Sequence, residues 1–215
     1  ISERSEKSNI WLARAEGGEA CQLTDVKTGV GVFKWSPDGS RIAFVMQDPP
    51  DEKEEKAARG KDDARIVDGD SKMSHLWIVP ARRAEGKMPE MRRLTGGDFT
   101  LNVQYAGGFD WSPDGRKIVF THTSGTSADS WTLADISQAD VETGAITPLV
   151  NSAAAEYSPL YSPDGRLVAY LCSENPPSWD FTRDIKVVDA TGGKPRPLAQ
   201  TADRNSILTG WAADS

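Results

Sequence analysis

The sequence is poor in the residues that build metal and redox centres, with two cysteines and two histidines in 215 residues. Cys21 and Cys172 lie far apart, and neither belongs to a Cys-x-x-Cys pair. Zinc ribbons and paired redox cysteines are therefore excluded. A disulfide between the two is left open, with two buried thiols the simpler expectation. No apolar run approaches the roughly 18 residues that a membrane-spanning helix needs. Positive charge is also short: 25 Lys and Arg stand against 32 Asp and Glu, a net charge of −7. That sign argues against a basic groove for nucleic acid. No charged-then-apolar leader opens the chain, so no signal peptide is expected within it, and the sequence starts as though in mid-domain.

What the sequence does contain is repetition, the feature that most constrains a fold when it is present. Trp35-Ser36-Pro37-Asp38-Gly39 leads into Arg41-Ile42-Ala43-Phe44. Trp111-Ser112-Pro113-Asp114-Gly115 leads into Lys117-Ile118-Val119-Phe120, and Tyr161-Ser162-Pro163-Asp164-Gly165 into Leu167-Val168-Ala169-Tyr170. A decayed fourth copy is Trp211-Ala212-Ala213-Asp214, and the aromatics at 35, 111, 161 and 211 are spaced by 76, 50 and 50 residues. Ser-Pro-Asp-Gly suits a β-turn: proline presets φ at the second position, and aspartate and glycine tolerate the third and fourth. The β-branched and aromatic run after each turn predicts a strand. The aromatic before it is expected to end a strand and pack between neighbouring sheets.

A second half-motif follows each first one. It appears as Asn9-Ile10-Trp11-Leu12, Gly17-Gly18 and Gln22-Leu23-Thr24, and again as His75-Leu76-Trp77-Ile78-Val79 and Arg93-Leu94-Thr95. Ala134-Asp135-Ile136 with Thr143-Gly144 and Pro148-Leu149 is a third copy, and Asp184–Asp189 with Gly192-Gly193 and Pro197-Leu198-Ala199 a fourth. Each reads as strand, glycine hairpin, strand. Four short strands in about 50 residues is the size of a β-propeller blade. The expectation is an all-β fold: a β-propeller fragment of four-stranded antiparallel blades, about three full and two partial. One partial domain over 1–215 divides into blades at about 1–25 (partial), 26–95, 96–149, 150–199 and 200–215 (partial).

The long first spacing is explained by a charged insertion at 46–71, centred on Asp51-Glu52-Lys53-Glu54-Glu55-Lys56-Ala57-Ala58-Arg59-Gly60-Lys61-Asp62-Asp63. Its Glu/Lys spacing allows a short helix, and a solvated loop is the alternative. A shorter excursion, Ser173-Glu174-Asn175-Pro176-Pro177-Ser178-Trp179, interrupts the third full blade.

Chemistry-bearing motifs are scarce. Gly125-Thr126-Ser127-Ala128-Asp129 resembles a nucleophile elbow but lacks the last glycine and a following helix pattern. His75 and His122 fall in or beside predicted strands, with no partnered nucleophile evident in the sequence. Gly29-Val30-Gly31 stops short of a dinucleotide fingerprint. Asp62, Asp63, Asp68 and Asp70 lack calcium-loop spacing. Glu54-Glu55 sits in a Lys/Glu-rich run, unlike a dedicated amine-binding pair. No catalytic, cofactor-binding or metal-binding residue is assigned from the sequence, and no cofactor is implied.

The aromatic-Ser-Pro-Asp-Gly repeats resemble those shared by the Tol-system propeller and the prolyl oligopeptidase family. Lys61-Asp62-Asp63-Ala64-Arg65-Ile66-Val67-Asp68 leading into Lys72-Met73-Ser74-His75-Leu76-Trp77 is similar to acylaminoacyl-peptidase-like members, as is Asp203-Arg204-Asn205. The resemblance implies a parent serine peptidase whose N-terminal propeller caps a C-terminal α/β-hydrolase domain and admits only short peptides to a Ser-His-Asp triad. None of that triad maps onto this sequence. Ala212-Ala213-Asp214-Ser215 departs from the repeat and leaves the fourth turn incomplete. The alternative is a stand-alone, Tol-type, protein-binding propeller of the periplasm. The compartment stays open, with the cytoplasm slightly favoured. Exposed blade edges suggest a homo-oligomer.

Overall fold

A computed structural model describes residues 1–5, 7–60, 72–84, 86–101, 108–179, 182–198 and 205–212. Most of the charged insertion beyond Gly60, the Asp203-Arg204 pair and Ala213–Ser215 lie outside the described residues.

Three sheets of four antiparallel strands follow one another along the chain, each with its strands in sequence order. The first comprises Phe33–Trp35, Arg41–Gln47, Ser74–Pro80 and Arg92–Arg93. The second comprises Phe109–Trp111, Lys117–His122, Asp135–Asp140 and Ile146–Val150. The third comprises Glu156–Tyr161, Leu167–Ser173, Arg183–Asp189 and Arg196–Pro197. Ahead of them, Ser2–Ser5 pairs with Lys7–Asn9, and Trp11–Leu12 pairs with Cys21–Gln22. This leading part corresponds to the second, third and fourth strands of a sheet with no first strand described.

The sheets stack face to face because their side chains alternate. On strand Arg41–Gln47, Ile42, Phe44 and Met46 face backwards to Ile10, Leu23, Val26 and Val30. Ala43 and Val45 face forwards to Phe109, Trp111, Ile118 and Phe120 of the second sheet. On the second sheet the next face carries Val119, Ile136 and Val150 against Tyr161, Val168, Tyr170 and Cys172 of the third. Both faces of the second strand of each sheet are thus buried, which explains the continuous apolar runs in the sequence. The core lies between consecutive blades, as in a β-propeller.

The Ser-Pro-Asp-Gly turn is a closed hydrogen-bonded unit. The Ser36, Ser112 and Ser162 hydroxyls each donate to the aspartate two residues on at 2.6 Å. Each serine oxygen also accepts the amide of the first strand residue beyond the turn, at 2.9–3.0 Å. The aspartates accept the amides of Ser40, Arg116 and Arg166 at 3.0 Å. Gly39, Gly115 and Gly165 close the turns at φ +70°, +69° and +72°, a region that favours glycine. Hydrogen bonds from the serines hold all three carboxyls below the usual carboxylate range.

The Leu-Thr step of the second half-motif has its own role. Thr24 Oγ1 accepts the Ile10 amide at 2.9 Å, and Thr95 Oγ1 accepts the Leu76 amide at 3.0 Å. The threonine hydroxyl thereby extends the ladder between third and fourth strands where the backbone diverges.

The charged insertion does form a helix, Glu52–Arg59. Its start is a reciprocal cap: Asp51 accepts the Glu54 amide at 2.8 Å, and Glu54 accepts the Asp51 amide at 2.6 Å. Two thiols are free, Cys172 buried and Cys21 half-buried. The expectation of two buried thiols thus holds for one only, because Cys21 lies on the short last strand of the leading part.

Candidate functional site

Each sheet has two unlike ends. The Ser-Pro-Asp-Gly turns and the hairpins between third and fourth strands share one end, tied by Ala81 N to Ser40 O, Val141 N to Arg116 O and Ala190 N to Arg166 O. At the opposite end the second strand crosses to the third, and here the elaborations collect. The capped helix rises from the first sheet, a 3-10 helix Ala128–Leu133 from the second, and the Glu174–Trp179 excursion from the third. The last two touch: Trp131 and Trp179 meet edge to face at 5.5 Å, leaving Leu133 and Trp179 exposed beside a buried Trp131. This loop-bearing end is the chain's candidate functional surface.

Among the described residues, the sequence-level candidates His75, His122, Ser127, Glu54 and Glu55 do not converge. His75 is fully buried at the start of its strand and occupies the place that Asn9 holds in the leading part. Asn9 accepts the Thr24 hydroxyl at 2.8 Å, and His75 Nδ1 lies 3.4 Å from the Thr95 hydroxyl. Its Nε2 lies 3.7 Å from Asp48, which also pairs with Arg93 at 3.3 Å. Burial, and then the Arg93 charge, lower the His75 pKa, with Asp48 opposing. A neutral ring wedged against Phe99 is a structural strand histidine.

His122 shares a 2.8 Å hydrogen bond with the Ser137 hydroxyl, a contact across two strands that the sequence did not reveal. Serine beside histidine is the beginning of an activated nucleophile, which also needs a third group to orient the base and a path for substrate. Ser137 is buried, His122 rests on Phe99 and Phe120, and burial lowers its pKa. The pair therefore reads as cross-strand packing. Ser127 stands at the start of the 3-10 helix, where its carbonyl accepts the Ser130 amide. Glu54 pairs with Lys72, and Glu55 with Lys27 and Arg59, so neither presents a free carboxylate. Among the described residues no group of three or more His, Cys, Asp and Glu could hold a metal ion. The acidic cluster Asp62, Asp63, Asp68 and Asp70 lies outside the described residues.

A cleft of about 670 Å³ opens at the turn end between the second and third sheets, lined by Asp114, Arg116, Lys117, Asp140, Tyr161 and Asp164. It carries both charge signs and no histidine or cysteine.

The blades are fastened to one another by polar contacts of their first strands. Asp110 accepts Lys34 Nζ at 2.9 Å and the Tyr161 amide at 3.0 Å, bridging all three sheets. The Trp111 indole donates to the Lys34 carbonyl at 3.3 Å. The Trp211 indole donates to the Leu160 carbonyl at 3.1 Å. Trp111 and Trp211 thus each reach the residue that precedes the motif aromatic one blade back.

No family model matches the sequence. The chain is 27% identical over 134 residues to the uncharacterized peptidase YuxL of Bacillus subtilis, covering 56% of this chain and 19% of that protein. It is 38% identical over 64 residues to the Tol-Pal system protein TolB of Francisella tularensis, 30% of this chain and 13% of that one. The chain thus spans a fifth or less of these relatives' length. An oligogalacturonate lyase from Vibrio parahaemolyticus superposes with a TM-score of 0.64 at 17% identity, over 94% of this chain and 48% of the lyase. A puromycin-hydrolyzing peptidase from Mycobacterium tuberculosis superposes with a TM-score of 0.60 at 15% identity, over 91% and 28%. Prolyl endopeptidases and an acylaminoacyl peptidase share the fold as well. Blade order, turn chemistry and these likenesses agree: the chain is a β-propeller segment whose structural neighbours include peptidases of the prolyl oligopeptidase and acylaminoacyl-peptidase kind.

Proposed function

We propose that these 215 residues form one partial propeller domain of a serine peptidase of acylaminoacyl-peptidase or dipeptidyl-peptidase type. In this reading the propeller is non-catalytic. It gates the access of short peptides to a C-terminal α/β-hydrolase domain outside the chain. No residue here is assigned a catalytic, cofactor-binding or metal-binding role, and no nucleic acid or membrane is a partner. The observation that carries the reading is the similarity to a peptidase over 134 residues. Helical and tryptophan-bearing elaborations gathered at one end offer a surface for a second domain, as loops on one propeller face commonly do.

The test is to express the chain with its natural flanking sequence. A downstream Gly-x-Ser-x-Gly domain and hydrolysis of acyl-amino-acid p-nitroanilides, blocked by a serine-directed inhibitor, are expected. The isolated 215-residue chain should show no turnover. A stop codon within a few blades, or inhibitor-sensitive turnover by the isolated chain, would sink the reading. The second reading, a Tol-type protein-binding propeller, is favoured by the 64-residue similarity to TolB. It requires a leader upstream and no hydrolase downstream.

A further inference from the structure

The same place between neighbouring blades is filled once and open once. Arg41, the first residue of its strand, reaches from the first sheet into the second. Its guanidinium pairs with Glu142 at 3.0 Å, donates to the Gly115 carbonyl at 3.4 Å and lies 5.8 Å from the centre of the Trp111 ring, within reach of a cation–π contact. One blade on, the repeat puts Lys117 at the position of Arg41, Tyr161 at that of Trp111 and Gly165 at that of Gly115. Thr191 stands at the position of Glu142, because Ala190 N bonds Arg166 O as Val141 N bonds Arg116 O. Thr191 brings no carboxylate, and the Lys117 amine turns to Gln138 of its own sheet at 3.4 Å. Lys117, Tyr161, Gly165 and Thr191 all line the cleft of about 670 Å³ between the second and third sheets. That cleft therefore stands where the Arg41 guanidinium sits one blade earlier.

The lining suits a cation. Asp114, Asp140 and Asp164 share the cleft with Arg116 and Lys117, which leaves one negative charge over. Hydrogen bonds from Ser112, Thr143 and Ser162 hold the three carboxyls below the usual carboxylate range, so all are ionised at neutral pH. Among the described residues neither Asp114 nor Asp140 forms an ion pair. A second observation points the same way. Tyr161 is 6% exposed, and its hydroxyl has no hydrogen-bond partner among the described residues, whereas the Trp111 indole donates to the Lys34 carbonyl. Burial, and then the Asp110 and Asp114 charges, raise the Tyr161 pKa, so the phenol stays neutral beside the carboxylates. A phenol oxygen can accept from a guanidinium, which only donates. We propose that the cleft between the second and third sheets binds a guanidinium group, the side chain of arginine either free or within a peptide, at the place that Arg41 fills one blade earlier. Its N–H fork takes the Gly165 carbonyl and the Tyr161 phenol as acceptors, and Asp114 and Asp140 supply the charge that Glu142 gives Arg41. This inference goes beyond the peptidase reading and does not depend on it, since its readout is binding at the propeller.

Calorimetric titration of the protein with its natural flanking sequence tests it, at low ionic strength where exposed charges are least screened. Any hydrolase activity is first silenced with a serine-directed inhibitor. The probes are L-arginine amide, an N-acetylated Gly-Arg-Gly amide, and L-citrulline amide as the neutral isostere. Saturable binding of a guanidinium probe is expected, about tenfold or more tighter than citrulline amide, the range for hydrogen bonds to a charged group. Binding of the amino-acid amide alone identifies free arginine as the ligand, and binding of the peptide identifies an arginine side chain in a chain. Asp140→Asn keeps the oxygen that accepts the Glu142 and Thr143 amides and should weaken binding by up to about fivefold. The double variant Lys117→Arg, Thr191→Glu copies the Arg41–Glu142 pair into the cleft. It should abolish binding while keeping the far-ultraviolet circular dichroism of the parent. Three results overturn the proposal. One is no saturable binding of either guanidinium probe. Another is citrulline amide binding as tightly as arginine amide. The third is a double variant that binds as well as the parent, which puts the binding elsewhere.

Discussion

Trp35 and Trp111 allow a stability experiment in which chemistry and secondary structure are held constant and only the neighbour differs. A tryptophan buries on the order of 200 Å², worth about 5 kcal/mol at about 25 cal/mol per Å². Trp111 is 5% exposed and realises nearly all of it, and its indole adds a hydrogen bond to the Lys34 carbonyl worth about 1 kcal/mol. Trp35 is 46% exposed and keeps about half, roughly 2.5 kcal/mol. Both figures are upper values, because unfolded chains are partly compact. Their difference, about 3 kcal/mol, is the firmer number. Urea unfolding of Trp111→Ala and Trp35→Ala should show that gap in the free energy of unfolding. A small domain has about 5–15 kcal/mol in all, so Trp111→Ala is expected to be barely folded. Trp111→Phe, which keeps most of the area and loses the hydrogen bond, should cost about 1 kcal/mol. Equal losses for the two alanine variants would refute the claim that what packs behind each tryptophan among the described residues explains the difference in their exposure.

Further outcomes follow from the turns and from one buried carboxyl. Gly39→Ala and Gly165→Ala share a positive φ, worth about 1–2 kcal/mol of strain. A Cβ at Gly165 would also meet Pro113 at 3.3 Å, while Gly39 has open space, so thermal melts should rank Gly165→Ala the less stable. Ser112→Ala removes the donor to Asp114 and the acceptor for the Lys117 amide. Chemical denaturation should show a loss of about 2–3 kcal/mol near neutral pH. Because hydrogen bonding lowers the Asp114 pKa in the folded chain, its stabilisation is present above the unfolded value near 4 and fades as pH falls through the lower folded value. The Ser112→Ala penalty should shrink accordingly in acid. Burial raises the Glu156 pKa, with the Ser152 hydrogen bonds opposing. Its protonated form is favoured in the folded chain, so stability is lost as pH rises from about 4.3 through the raised value. Glu156→Gln should be the more stable variant at neutral pH, and parallel denaturation profiles from pH 4 to 8 would argue against that account.

The turns and strand periodicity were legible because they are local. Ser-Pro-Asp-Gly encodes its own hydrogen bonds within six residues, and alternation along Arg41–Gln47 or Leu167–Ser173 needs no knowledge of the partner sheet. The length of the insertion was legible from the 76-residue spacing, but its Glu/Lys spacing left helix and loop both open, and only the structure, with the reciprocal Asp51/Glu54 cap, shows the helix. The His122–Ser137 contact was not, since it depends on a register between strands 15 residues apart. Nor could the sequence separate Trp35 from Trp111, which stand in the same motif.

By itself, then, the sequence determined a run of four-stranded antiparallel units with known turns, because short-range sterics and side-chain hydrogen bonds suffice for that. Only the tertiary structure decided which aromatic is covered, which histidine has a hydroxyl partner and which end gathers the elaborations. Those depend on what the preceding blade places behind each strand, and burial is a property of neighbours rather than of motifs.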